Sequence, residues 1–338
     1  MNPKAFFSFV FVTAIVVIAA SFSVATRYSV HKIGFEDKAV FPGFAQKAQN
    51  VDMIIVKDAK KEISAKREGN SWFLVERQNY RASNKVISDL MLGLSELRLR
   101  EAKTSKTKLY PRLHVENPEN KKAKSILLTV KSGESELARI IVGKVNNEVV
   151  GSANVGRYIR MPGKKQSWLA SGRLDIPVSV SKWVSPEFLD IPSNRVVKVE
   201  VFHPNGETMI VSRAGENKFQ IDNMPENMVV EYQSDIDNMG DGLDKLELED
   251  VKASKMLNFP KDKTIITKIH TNDGMTVKAK LIDINDGDFW GYFVASTESS
   301  ATESVRKEVA KINSRVGKWV YQIPAHKYRY MSRKHSDV

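Results

Sequence analysis

The chain has 338 residues, of which 42% are hydrophobic and 27% charged, so most of it is expected to fold as ordinary globular protein. It contains no cysteine, which excludes disulfides, thiol catalysis and cysteine-ligated metal. The net charge of +12 and a pI near 9.5 favour anionic partners such as lipid headgroups, cell-wall polymers or nucleic acid.

The N-terminus opens with Lys4 and then runs from Ala5 to Ala25, 21 residues without a charge. At about 1.5 Å per residue this run reaches roughly 30 Å, the thickness of a bilayer core. Phe, Val and Ile lie on every face of it, unlike the one-sided stripe of a soluble amphipathic helix. Two readings stand. The run is an uncleaved anchor, or Ser23-Val24-Ala25 is a signal-peptide cleavage site with small residues at the required places. The charges that flank it, Lys4 on one side and Arg27 and Lys32 on the other, do not decide orientation. Both readings put the body outside the cytoplasm: an inner-membrane protein with a periplasmic body, or a cleaved periplasmic protein. Residues 1–26 are therefore the anchor or signal segment, and 27–50 are a connector with a turn at Pro42-Gly43.

Residues 51–75 predict three short strands, with Val51, Met53 and Ile55 at period-two spacing and facing a core. At an offset of 146, Val197, Val199 and Val201 take the same places, Met209 matches Ile63, Gly215 matches Gly69, and Phe219 matches Phe73. A helix follows, with Val86, Ile87, Leu90, Met91, Leu94 and Leu97 on one face. Its end, Gly93 to Lys103, is echoed by Gly242 to Lys252, which predicts a second helix closing there. Further strands are predicted at Ser125–Val130, Leu137–Val142, Thr264–His270, Met275–Ile284 and Phe289–Ser296, and a helix at 302–316. Asn285-Asp286-Gly287-Asp288 reads as a hairpin turn. The expected fold class is α+β: two tandem copies of an antiparallel-sheet-plus-helix unit, at 51–192 and 195–330, with a basic tail at 331–338. Most of the five tryptophans are expected in the core.

Several of these elements, in order, resemble a known family. They are Gly69 to Glu76 (Gly-x-x-Trp-x-Leu-x-x), a helix ending Leu-x-x-Leu, and Tyr110-Pro111-Arg112-Leu113-His114-Val115-Glu116-Asn117-Pro118. Val142-Gly143-Lys144 and Tyr158-Ile159-Arg160 follow. Together they are similar to the bacterial domain-of-unknown-function family four-three-four-zero, whose members often accompany gliding-motility-type ABC transporter components. The third element departs from the family pattern at His114, where many members have Gly. The resemblance implies a membrane-tethered partner of an export or transport machine. It implies no chemistry.

The residues themselves offer little chemistry either. None of the six histidines is spaced i, i+3 or i+4 from another, so no helical metal motif is present; solvent-facing strand or loop positions are expected for them. No Gly-x-Ser-x-Gly elbow occurs. Gly151 to Tyr158 has phosphate-loop glycine spacing without the Lys and Ser/Thr that would hold phosphate and magnesium. Asp235 to Asp241 resembles a calcium loop but has Met239 and Leu246 where oxygen ligands belong, so a solvated helix face is expected. The carboxylates Glu247, Glu249 and Asp250 come with no sign of an apolar pocket that would split their pKa values. No catalytic, cofactor or metal residue is assigned.

The basic residues form loose groups: Lys103, Lys106, Lys108 and Arg112; then Lys121, Lys122 and Lys124; then Lys327, Arg329, Arg333 and Lys334 among Tyr328 and Tyr330. Lys121, Lys122, Lys124, Lys327 and Arg329 are the candidate contacts to a partner or an anionic surface. Basic-aromatic interleaving can bind single-stranded nucleic acid, a use not expected outside the cytoplasm. The expected function is a non-catalytic accessory or scaffold of an ABC-type transport or export complex at the inner membrane. The alternative is an extracytoplasmic module that binds lipid or glycan.

Overall fold

The computed structural model describes residues 37–146, 156–226 and 228–338. The uncharged run Ala5 to Ala25 and residues 151–155 of the glycine-spaced loop lie outside them. Among the described residues, no helix is long and apolar enough to cross a membrane.

Strands dominate because β-branched and aromatic residues recur with period two. The first are β1 (Lys38–Ala39), β2 (Met53–Lys57), β3 (Glu62–Glu68), β4 (Ser71–Leu74) and β5 (Tyr80–Arg81). The helix Asn84–Glu96 buries Ile87, Leu90 and Leu94, as its periodicity predicts. Next come β6 (Arg98–Ala102), β7 (Ile126–Ser132), β8 (Ser135–Asn146), β9 (Gly156–Arg160) and β10 (Ser167–Ser171). Then follow β11 (Glu187–Leu189), β12 (Val196–Phe202), β13 (Thr208–Gly215), β14 (Lys218–Ile221) and β15 (Leu246–Glu247). The last are β16 (Asp250–Ala253), β17 (Ile265–Thr271), β18 (Met275–Asp283), β19 (Phe289–Thr297) and β20 (Trp319–Gln322). The class is α+β, with large antiparallel sheets and seven short helices among the described residues.

The chain divides into two compact units that interleave in sequence. The first runs to Glu62 and resumes at Ser88–Ile176; the second is Ile63–Ile87 with Pro177–Val338. This differs from the serial division near 192 expected above. In the first unit, neighbouring strands run β1-β6-β10-β9-β8-β7-β2, every pair antiparallel. Residues alternate across β7 and β8, so the two faces of the sheet are separate. Leu128, Val130, Ile140 and Val142 bury one face, while Leu127 and Ile141 pack on the other with Tyr110 and Val115.

The second unit holds an eight-stranded sheet, β14-β13-β12-β17-β18-β19-β20-β16, the small pair β11-β15, and a hairpin from β3, β4 and β5. The helix Glu303–Val316 starts at Thr302, whose hydroxyl accepts from the Val305 amide, and buries Val305, Ile312 and Val316. Its Asn313 side chain bonds both backbone groups of Ala295 in β19 at 2.9 and 2.8 Å, fixing the helix to the sheet. Asp286 and Gly287, both at positive φ, turn β18 into β19 as their sequence predicts.

Three expectations need correction. In β2 the buried residues are Ile54 and Val56, while Met53 and Ile55 are only half-buried; in β12 Val199 and Val201 are fully buried. The burial phase of the first strand is thus shifted by one residue from the offset-146 alignment. Second, no helix closes at 242–252. A helix at Gln233–Asp237 and a 3-10 turn at Asn238–Asp241 precede those residues, which themselves form β15 and most of β16. Two glycines disfavour a continued helix, and both are needed for close approach. A Cβ on Gly240 would lie 2.4 Å from the Phe219 ring, and one on Gly242 would lie 2.7 Å from Met331. Third, the carboxylates of Asp235 and Asp237 do not form a solvated face. Asp235 takes a 2.5 Å bond from Arg333, and Asp237 accepts the Phe219 amide at 2.8 Å.

Candidate functional site

In the first unit, the motif residues Tyr110 to Pro118, Gly143 and Arg160 converge. Tyr110–Leu113 is a single helical turn with Pro111 near its start, where a missing N–H costs nothing. It ends at His114 in the left-handed conformation (φ 56°), the C-cap geometry that glycine favours. Gly143 of β8 lies directly beneath: a Cβ there would be 2.2 Å from the Leu113 carbonyl and 2.9 Å from Val115. Arg160 of β9 is 4% exposed. Its Nε donates to the Val115 carbonyl at 2.8 Å, Nη1 to the Lys164 carbonyl at 3.1 Å, and Nη2 to Asn117 Oδ1 at 2.5 Å. The guanidinium sits 4.6 Å over the Tyr110 ring, and the Tyr110 hydroxyl donates to the Lys165 carbonyl at 2.6 Å. Burial lowers the Arg160 pKa, partly opposed by Tyr110 and Glu119. Arg160 and Tyr110 thus tie three backbone carbonyls and the Asn117 side chain together, and the hub is a clamp.

The clamp organises a basic surface. Residues 103–124 carry seven Lys and Arg against two carboxylates, and the loop 161–166 adds Lys164 and Lys165. Lys121, Lys122 and Lys124 are exposed on a turn stapled by Asn117 and Asn120. Sequence grouping picked out Lys106, Lys108 and Arg112 but missed Lys164 and Lys165. The Pro162-Gly163 turn marked their loop, yet only the bonds from Arg160 and Tyr110 place it beside the others. Lys327 and Arg329 lie elsewhere, on the helix Ala325–Ser332 of the second unit. Arg329 is exposed. Lys327 instead donates to the carbonyls of Asp241 and Asp244 at 2.7 and 2.5 Å, and burial pushes its ammonium pKa down. Its charge is therefore committed to closing a turn.

The model of one family, described as a domain of unknown function (DUF4340), matches residues 72–265, more than half of the chain and including the whole clamp. The chain belongs to the DUF4340 family. No curated protein matches it.

The DUF4340 match ends at residue 265, and two polar groupings that bear on chemistry involve residues of the second unit beyond it. His270 Nδ1 lies 3.0 Å from Thr276 Oγ1, and its Nε2 lies 3.3 Å from Glu200. The order hydroxyl–imidazole–carboxylate is that of a nucleophile relay. Thr276, however, sits in β18 with strands on both sides, so its neighbouring amides are in the ladder and not available to an oxyanion. His335 is buried, contrary to the solvent-facing position expected; its amide and Nδ1 lie 2.9 and 3.2 Å from Glu207 Oε1. That contact and Arg333–Asp235 bind the basic tail to the unit. Among the described residues, no group of three or more metal-ligating side chains occurs. Finally, a cleft of about 470 Å³ is lined by Tyr80, Arg81, Ser83, Glu187, Phe188 and Arg315, among others.

Proposed function

We propose that this DUF4340 chain is a non-catalytic accessory or scaffold of an ABC-type transport or export complex. It is tethered to the inner membrane with its body in the periplasm, or released there after Ala25. The observation that carries this reading is the 21-residue uncharged run ahead of a folded body. The resemblance of the motif set to transporter-associated proteins supplies the partner class. The engagement of Arg160, Lys327 and Asp235 in clamps supports a shape-based role, since a binding protein needs a stable surface more than tuned pKa values.

The body reads as two tandem copies of one α+β unit. Supporting this, the strand order β6-β10-β9-β8-β7-β2 of the first unit parallels β16-β20-β19-β18-β17-β12 of the second, each label raised by ten. A β3-β4 hairpin after β2 likewise parallels β13-β14 after β12.

A C-terminal fusion to a reporter that works only in the periplasm tests the location, and activity is the expected result. A reporter working only in the cytoplasm would refute it. Single alanine changes at the six histidines should leave the phenotype intact. The second reading, a ligand-binding module for lipid or glycan, would use the cleft in the second unit lined by Tyr80, Arg81, Phe188 and Arg315. Loss of phenotype on Arg81→Ala and Arg315→Ala together, with membrane partners still recovered, would move the account to that reading.

A further inference from the structure

We propose that the basic end of the first unit docks on phosphate-bearing lipid headgroups of the same bilayer that the N-terminal run enters. The inference rests on the anchor reading above and adds a second, electrostatic contact to it.

Three segments compose this end, and the clamp holds them together. Arg160 binds the Val115 carbonyl, Asn117 and the Lys164 carbonyl; Tyr110 binds the Lys165 carbonyl; and the Ser167 amide donates to the Thr104 carbonyl. Lys106, Lys108 and Arg112 therefore emerge beside Lys164 and Lys165, with Lys121, Lys122 and Lys124 on the turn that leaves Pro118. All eight are exposed. Lys103 is paired with Glu101 at 2.6 Å, whereas these eight have no ion pair among the described residues. A fixed base carrying unpaired cations keeps a positive field directed outward.

The point at which the described chain begins lies close to this surface. Lys38 pairs with Leu99 in β6, and Lys103 is four residues further along the same strand direction, about 13 Å. The 11 residues between Ala25 and Asp37 can reach at most about 40 Å. A bilayer entered by the run before them is thus within reach of the basic end. The side chains favour lipid over a protein partner. Seven of the eight are lysines, point charges on flexible stems spread over three loops. They suit a fluid field of phosphates, whereas fixed acidic side chains are matched better by planar arginine forks. A weak electrostatic contact combined with an apolar segment is also the two-signal arrangement that makes membrane attachment stable.

The full chain would be reconstituted into vesicles of phosphatidylcholine, alone or mixed with phosphatidylglycerol, and its lysines labelled with a water-soluble acylating reagent. Phosphatidylglycerol should protect Lys121, Lys122, Lys124, Lys164 and Lys165, and high salt should restore their labelling. Lys255 of the second unit serves as a control. Each lysine near an anionic surface favours the docked state about fivefold, the equivalent of about 1 kcal/mol. The triple change Lys121→Ala, Lys122→Ala and Lys124→Ala should then lower the docked-to-undocked ratio on the order of a hundredfold. It should thereby expose Lys164 and Lys165, which are unmutated and in another segment. These three exposed side chains can be removed without disturbing the core, and an unchanged circular dichroism spectrum would verify this. Equal labelling in both vesicle types would overturn docking while leaving the anchor standing. Loss of the chain from vesicles in a high-salt wash would overturn the anchor and docking with it. Protection that arises only when a protein partner is added would also overturn the lipid assignment.

Discussion

Arg77 grips Asp250 with two parallel hydrogen bonds, Nε to Oδ1 at 2.5 Å and Nη2 to Oδ2 at 2.8 Å, across 173 positions of sequence. Both side chains are about three-quarters buried, at 26% and 22% exposure, so the pair is less screened than a surface ion pair. Around it, the Ala253 amide donates to Gln78 Oε1, and the Tyr80 ring meets Trp319 edge-on at 4.9 Å. This is how the hairpin of β3 to β5 is fastened to the edge strand β16 within the second unit. Arg77→Ala should cost about 1–3 kcal/mol of stability in urea denaturation. Arg77→Lys should recover only part of it, because an ammonium cannot match both oxygens. A double-mutant cycle with Asp250→Ala should show coupling of about 1 kcal/mol or more; strict additivity would contradict the fastening role.

The turn at His114 yields two changes of opposite sign. Its backbone is left-handed, which costs a side-chain-bearing residue about 1–2 kcal/mol. His114→Gly should therefore stabilise the protein by up to about 1 kcal/mol after the greater freedom of the unfolded glycine is counted. Gly143→Ala should destabilise by about 1–3 kcal/mol, since its methyl would meet the Leu113 carbonyl. Thermal melting of the two variants, with shifts of opposite sign, checks both.

Removing the clamp should be more damaging. Arg160→Met keeps much of the side-chain volume but leaves the Val115 and Lys164 carbonyls without their donor, a loss of about 3 kcal/mol or more. Tyr110→Phe removes one bond and should cost about 1 kcal/mol. Hydrogen exchange should show the loss in 103–124 and 160–167 first. An unchanged exchange pattern in Arg160→Met would contradict the clamp.

Acid should release the tail. The His335 backbone amide, with help from its side chain, holds the Glu207 carboxylate below the usual range despite some opposing desolvation. The unfolded chain, with an ordinary glutamate near 4.3, binds the proton first as pH falls. Glu207 thus contributes stability above about pH 4.3 and loses it as pH drops through the lower folded value. In Glu207→Gln this acid-side slope should flatten, measured as the urea midpoint across pH. An identical profile in both proteins would remove Glu207 from the account.

The strands and the helix Asn84–Glu96 were legible in sequence because each carries a clear period. The phase of β2 was not. Met53-Ile54-Ile55-Val56 is apolar at four consecutive positions, so alternation cannot say which pair faces inward. Packing decides for Ile54 and Val56. The second helix was misread because residues 242–252 match the first helix end in leucine spacing, while Gly240 and Gly242 give room for the Phe219 ring and Met331. Of the candidate contacts, Lys121, Lys122 and Lys124 stand on an exposed turn, but the role of Lys327 depends on two carbonyls brought close by tertiary structure. Backbone acceptors leave no mark in a sequence pattern, which also hid the function of Arg160.

Affinity purification of the full chain from crosslinked membranes tests the role in a transport complex. A tethered protein is confined with its partner in two dimensions, so a modest interface suffices for capture. ABC-type permease or ATP-hydrolysing subunits should be recovered with the chain, and a version lacking Ala5 to Ala25 should recover far less. Recovery of the chain without any transporter component, while histidine or threonine changes at His270 or Thr276 abolish the phenotype of a folded protein, would contradict that role.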